Sequence, residues 1–119
     1  MRRDFDLIRD ILFAIETHPH GRAPVVKIDG RSEEEIGYHS YLIIDAGLAE
    51  GVDIQHMQSP GPTYRITRLT SAGHDFIDAA RPQPIWEQAK AKAARVGAVT
   101  LQAIHNTLVD LSVRGMAGA

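Results

Sequence analysis

A chain of 119 residues, 44% of them apolar, fits one domain with one hydrophobic core, and a second independent domain is not expected. The absence of cysteine excludes disulfides, thiol nucleophiles and thiolate metal sites. Thirteen Lys+Arg against fifteen Asp+Glu, a formal net charge of -2, provide no general attraction for nucleic acid.

Acids interrupt the basic start MRRDFDLIRD and no apolar run follows it, so no signal peptide is expected. No stretch of about 18 uncharged apolar residues exists either, which predicts a soluble cytoplasmic protein without a membrane partner. Charge is unevenly placed. Between Ser32 and Met57 stand Glu33, Glu34, Glu35, Asp45, Glu50 and Asp53 and no Lys or Arg, whereas the chain from Gln58 onward is mildly basic.

Asp4 can cap a first helix whose Phe5, Ile8, Ile11, Leu12 and Ile15 recur at three- and four-residue spacing. His18-Pro19-His20-Gly21 stops it, because proline cannot continue a helix. Val25-Val26-Lys27-Ile28 then reads as a short strand closed by an Asp29-Gly30 turn. Ser32 with Glu35 forms a capping box for a second helix over 32–46, with Ile36, His39, Ile43 and Ala46 on its inner face and Gly47-Leu48 as a left-handed cap.

Alternation of Val52, Ile54 and His56 with Asp53 and Gln55, and a second alternation over Tyr64 to Leu69, predict two strands joined by a loop at Gln58-Ser59-Pro60-Gly61-Pro62. Thr70 caps the next helix, with Phe76, Ile77 and Ala80 inward, and Arg81-Pro82-Gln83-Pro84 ends it. Ile85 to Arg95 reads as a polar helix, interrupted at Gly97. A last helix over 100–113 carries a seam of Leu101, Ile104, Leu108 and Leu111, and residues from Arg114 onward are expected to fray.

The expected fold is α+β and winged-helix-like: helix, short strand, helix, two-stranded wing, helix, with a C-terminal helical extension. The expected division is a winged-helix domain over 1–81 and an extension over 82–114. The Leu101, Ile104, Leu108, Leu111 seam either covers the core or forms a homodimer, with dimerisation slightly favoured.

Several blocks carry a resemblance: Arg3-Asp4 with Asp6-Leu7-Ile8-Arg9, Glu35-Ile36 with Tyr38-His39, Ala46-Gly47-Leu48, and Leu69-Thr70 with Gly73-His74-Asp75-Phe76. With Trp86, these make the chain similar to the bacterial and phage family called domain of unknown function 2513, over roughly residues 1–90. The resemblance implies a winged-helix-like fold and a phage or prophage setting, and brings no activity with it.

In winged-helix DNA binders the helix before the hairpin enters the major groove, where Arg, Lys, Asn or Gln read bases. Here that helix offers Tyr38, Ser40 and Tyr41 and opens on three glutamates, which would repel phosphates. Any contact with duplex DNA is therefore assigned to Arg65 and Arg68 on the wing, to Arg22, Lys27 and Arg31 near the first turn, and to Tyr38 and Tyr41. The first functional expectation is a small DNA-binding regulator. Its alternative is a non-catalytic protein-interaction module whose acidic second helix meets a basic partner.

The histidines supply no convincing site. His18-Pro19-His20 lacks a third ligand at any fixed spacing, so no metal is expected. His39 lies on the apolar stripe and is expected to be a packed imidazole bonded to backbone, while His74 is expected to cap or pack against the hairpin base. Nucleophile-elbow, phosphate-loop and dinucleotide motifs are absent, so no enzyme, catalytic residue or cofactor is expected.

Overall fold

The computed structural model describes residues 2–18, 25–54, 64–95 and 100–117, with side chains as far as Val113. Their order is α1 (Phe5–Glu16), α2 (Glu33–Asp45), β1 (Ala49–Asp53), β2 (Tyr64–Leu69), α3 (Ser71–Ala80), α4 (Gln83–Arg95) and α5 (Leu101–Ala117). The result is an α+β fold in which β1 and β2 form a two-stranded antiparallel sheet. The chain divides into two compact units, Met1–His74 and Asp75–Ala119, the boundary falling inside α3.

In the first unit α1 forms because Asp4 accepts hydrogen bonds from the amides of Asp6 and Leu7, satisfying donors that a helix start leaves open. Ile8, Ile11, Leu12 and Ile15 are buried as their spacing predicts, and Leu7, which that stripe did not include, is buried with them. Phe5 is only half-buried and lies under the Arg3 guanidinium. α1 packs on α2 and β2, and α2 in turn packs on both strands.

α2 starts and stops as its sequence dictates. Ser32 and Glu35 form the reciprocal capping box. At the other end the Leu48 amide donates to the Ile43 carbonyl and the Gly47 amide to that of Ile44, the two bonds of a Schellman motif. Gly47 sits at φ 80°, a conformation that costs an L side chain energy.

The hairpin has a bulge: Glu50 pairs with Arg68 and Gly51 with Ile66, so Thr67 is extra and its hydroxyl donates to the Glu50 carbonyl at 3.0 Å. Ile66 is buried, while Val52 is 46% exposed and faces away from it. Val25 to Ile28 are not a strand, contrary to expectation, although the following turn closes as predicted with the Arg31 amide on the Ile28 carbonyl. Among the described residues no strand lies beside this segment, and β-propensity alone does not hold four residues in a sheet.

Thr70 fastens α3 to the end of α2. Its amide donates to the Leu48 carbonyl, its hydroxyl donates to the Gly47 carbonyl at 2.6 Å, and the same oxygen accepts the Gly73 amide. Gly73 lies so close to Leu48 that a Cβ there would collide with the Leu48 carbonyl oxygen. With Gly73 turned toward that carbonyl, the next residue points elsewhere, and His74 is exposed, where a histidine packed on the hairpin base was expected.

In the second unit Trp86 stacks edge-on against Phe76 at 6.1 Å, and His105 does so from α5 at 5.4 Å. α4 is less polar than its composition suggests, since Trp86, Ala89 and Ala93 form a fully buried stripe against α5. Ile104 and Leu108 are likewise fully buried within the single chain. For these two side chains burial favours core cover, the other of the two expected roles of the seam, because a side chain already covered by its own chain has little apolar surface left to bury against a second subunit. Leu101 and Leu111 are half-buried. α5 runs past Val113 to Ala117 instead of fraying, crossing Gly115 at the modest cost of about 1 kcal/mol that a helical glycine carries.

Pro19 to Gly21, Arg22, the loop at Gln58 to Pro62 and Gly97 lie outside the described residues. Among the described residues no helix is long and apolar enough to cross a membrane.

Candidate binding face on the second helix

Two clusters meet on α2, one turned inward and one outward. The inner one is built on His39, which is 1% exposed. Its Nε2 accepts the Asp4 amide at 2.8 Å and its Nδ1 lies 2.8 Å from the Glu35 carbonyl. An acceptor at Nε2 requires Nδ1 to be the protonated nitrogen, so the ring is a neutral donor–acceptor bridge between the start of α1 and the first turn of α2. It is the packed, backbone-bonded histidine that its position on the stripe predicts.

Arg31 closes the same cluster from the turn. Its guanidinium contacts Asp4 at 2.5 Å and Glu35 at 3.2 Å. Burial pushes the Asp4 carboxyl up, but the Arg31 hydrogen bond and the Leu7 and Asp6 amides outweigh it and hold the group below its ordinary value. The Ser32 amide, followed by Arg31, lowers Glu35, and the two carboxylates raise Arg31. These are internal fastenings, and they occupy one of the arginines assigned to DNA.

The wing arginines differ from each other. Arg68 bonds Glu50 directly across the strand pair at 2.7 Å, and this hydrogen bond lowers the Glu50 carboxyl. Both side chains are more than half exposed, so the pair adds little to stability. Arg65 is half-buried and Lys27 exposed, and neither bonds a carboxylate among the described residues. Arg22 lies outside them. Of the four described cations assigned to nucleic acid, Arg31 and Arg68 are therefore bonded to carboxylates and Lys27 and Arg65 are not.

The outer cluster gathers all three tyrosines of the chain. Tyr38 and Tyr41 lie one turn apart on α2 with ring centroids 6.5 Å apart, and Tyr64 from the start of β2 stands 5.1 Å from Tyr41. Glu33, Glu34 and Asp45 are exposed on the same helix and make no ion pair among the described residues. Sequence reading found Tyr38 and Tyr41 and missed Tyr64, since the helix-to-strand approach that unites them is a tertiary feature.

A family model described as "Hypothetical protein (DUF2513)" matches residues 2–99. The chain belongs to this family. A Haemophilus influenzae relative with the name "Uncharacterized protein" is 32% identical over 92 residues, 76% of each chain. No solved structure matches. The blocks that carry the family likeness coincide with the fastenings just described: Asp4 and His39 join α1 to α2, and Ala46-Gly47-Leu48 is the surface on which Thr70 and Gly73 close. Their chemistry is that of holding the fold.

Proposed function

We propose that this protein is a non-catalytic protein-interaction module that presents the acidic outward face of α2 to a basic partner. One observation carries the reading: Glu33, Glu34 and Asp45 are exposed and unpaired among the described residues, while Arg31 and Arg68, two of the cations assigned to DNA, are bonded to carboxylates. The three glutamates opening α2 suit its dipole, and Glu33 and Glu34 stay available because only Glu35 is used in the capping box. Complementary charge of this kind speeds encounter with a basic partner and selects against an acidic one.

The test is binding of a glycine–arginine peptide, followed by fluorescence anisotropy at low salt, to the wild type and to a Glu33→Lys, Glu34→Lys variant. Glu35 is spared to keep the helix cap. Binding that weakens with charge reversal and with added salt is expected. Equal binding by both proteins sinks the reading.

A second reading is favoured by Lys27 and Arg65, which bond no carboxylate among the described residues. In it the order α1, α2, hairpin, α3 is that of a winged helix, and the protein is a phage- or prophage-borne regulator that touches duplex DNA through Arg65, Lys27 and Arg22. Its mark is a duplex affinity that falls steeply with salt and drops in Arg65→Ala. No duplex binding at low salt eliminates it.

A further inference from the structure

The tyrosines of α2 project on the side of the helix away from its most buried residues, although Tyr38 is half-buried and meets the His39 ring edge-on at 5.5 Å. Glu34, Tyr38, Tyr41 and Asp45 follow one another at spacings of four, three and four residues, which sets them in one stripe along the helix. The buried residues Ile36, His39, Ser40 and Ile43 occupy the opposite side. Tyr41 is 36% exposed, and Tyr64 of β2 broadens the stripe into a platform beside it. The platform is thus aromatic in the middle and carboxylate at both ends.

We propose that this platform is a docking site for an arginine side chain of a basic peptide, resting on the reading of α2 as a partner-binding face. A tyrosine ring attracts a cation at its face, and a planar guanidinium stacks there while its N–H groups remain free to reach carboxylates. Glu34 and Asp45 stand one helical turn beyond Tyr38 and Tyr41, respectively, and form no ion pair among the described residues, so both are available to an incoming guanidinium. The same carboxylates decide against nucleic acid. Stacking platforms for single strands lie in positively charged grooves that follow the phosphates, and here the charge flanking the rings is negative.

The experiment is a titration of the full chain with a glycine–arginine peptide, following the tyrosine ring signals by NMR. The ring resonances of Tyr38, Tyr41 and Tyr64 should shift together. Tyr41→Leu, which keeps an apolar cover over the helix, should weaken binding roughly 2- to 5-fold, and Tyr41→Phe should retain it. Glu34→Gln with Asp45→Asn should also weaken it. If the peptide binds without moving the rings, or binds Tyr41→Leu as well as wild type, the platform is refuted while the acidic-face reading stands. If no peptide binding occurs at low salt, both fall. Ring shifts produced by single-stranded oligothymidylate in place of the peptide would also overturn the proposal.

Discussion

His39 shows how one side chain can settle the relation between two helices. Its ring satisfies the Asp4 amide, which α1 itself cannot bond, from a position that is 1% exposed. His39→Ala removes that acceptor and leaves a cavity, so we expect a loss of at least about 2 kcal/mol in urea unfolding. Asn or Gln at the position can restore an acceptor and should recover part of the loss. The two glycines at the α2–α3 junction make a sharper comparison. Gly47 has a positive φ and nothing within 4 Å of an added Cβ, so Gly47→Ala should cost about 1–2 kcal/mol through backbone conformation alone. At Gly73 an added Cβ meets backbone, the Leu48 carbonyl, which cannot swing aside as a side chain would. Gly73→Ala must part α3 from Leu48 and strain the Thr70 bonds, and should cost more than Gly47→Ala. The reverse order would show that the junction is looser than its geometry.

At the scale of elements, the start of α2 is coupled to the start of α1 by charge. Asp4, Glu35 and Glu50 all have carboxyls held below their ordinary values in the folded protein. A depressed carboxylate contributes stability that is present above the unfolded value and is lost as pH falls through the folded one. Asp10, raised by burial, works in the opposite sense and offsets part of this. Stability should therefore decline as pH falls through and below the ordinary carboxylate range. Arg31→Met, which removes the largest lowering influence on Asp4, should make that decline shallower. An unchanged slope in acid denaturation would mean the Arg31 bridge carries no free energy. Much of this element was legible in advance, because capping boxes and glycine caps are local and their spacing is written in Ser32, Glu35 and Gly47. The Arg31 bridge was not, since Asp4 lies 27 residues away and only the tertiary fold brings it near. Val25 to Ile28 misled for the converse reason: β-branched residues favour a strand only where a neighbour exists to pair with.

At the scale of the whole molecule, the question that periodicity left open was what covers the apolar seam of α5. Spacing identifies Ile104 and Leu108 as lying on one face but not which surface meets that face. The partner stripe on α4 was hidden because two of its three members, Ala89 and Ala93, are alanines that read as neutral helix formers in a stretch rich in Lys and Gln. With Trp86 and His105 of α5 both edge-on to Phe76, the second unit has an aromatic centre of its own, and Ile104 and Leu108 are fully buried without a second chain. Leu108→Ala should thus destabilise the protein by about 2–5 kcal/mol, the cost of a core truncation. A seam shared between subunits would also make the unfolding midpoint rise with protein concentration, because mass action then favours the folded dimer. We expect instead a midpoint independent of concentration for both wild type and Leu108→Ala, with the two curves offset by the same amount at every concentration. A concentration-dependent midpoint that Leu108→Ala abolishes would return the seam to a dimer interface.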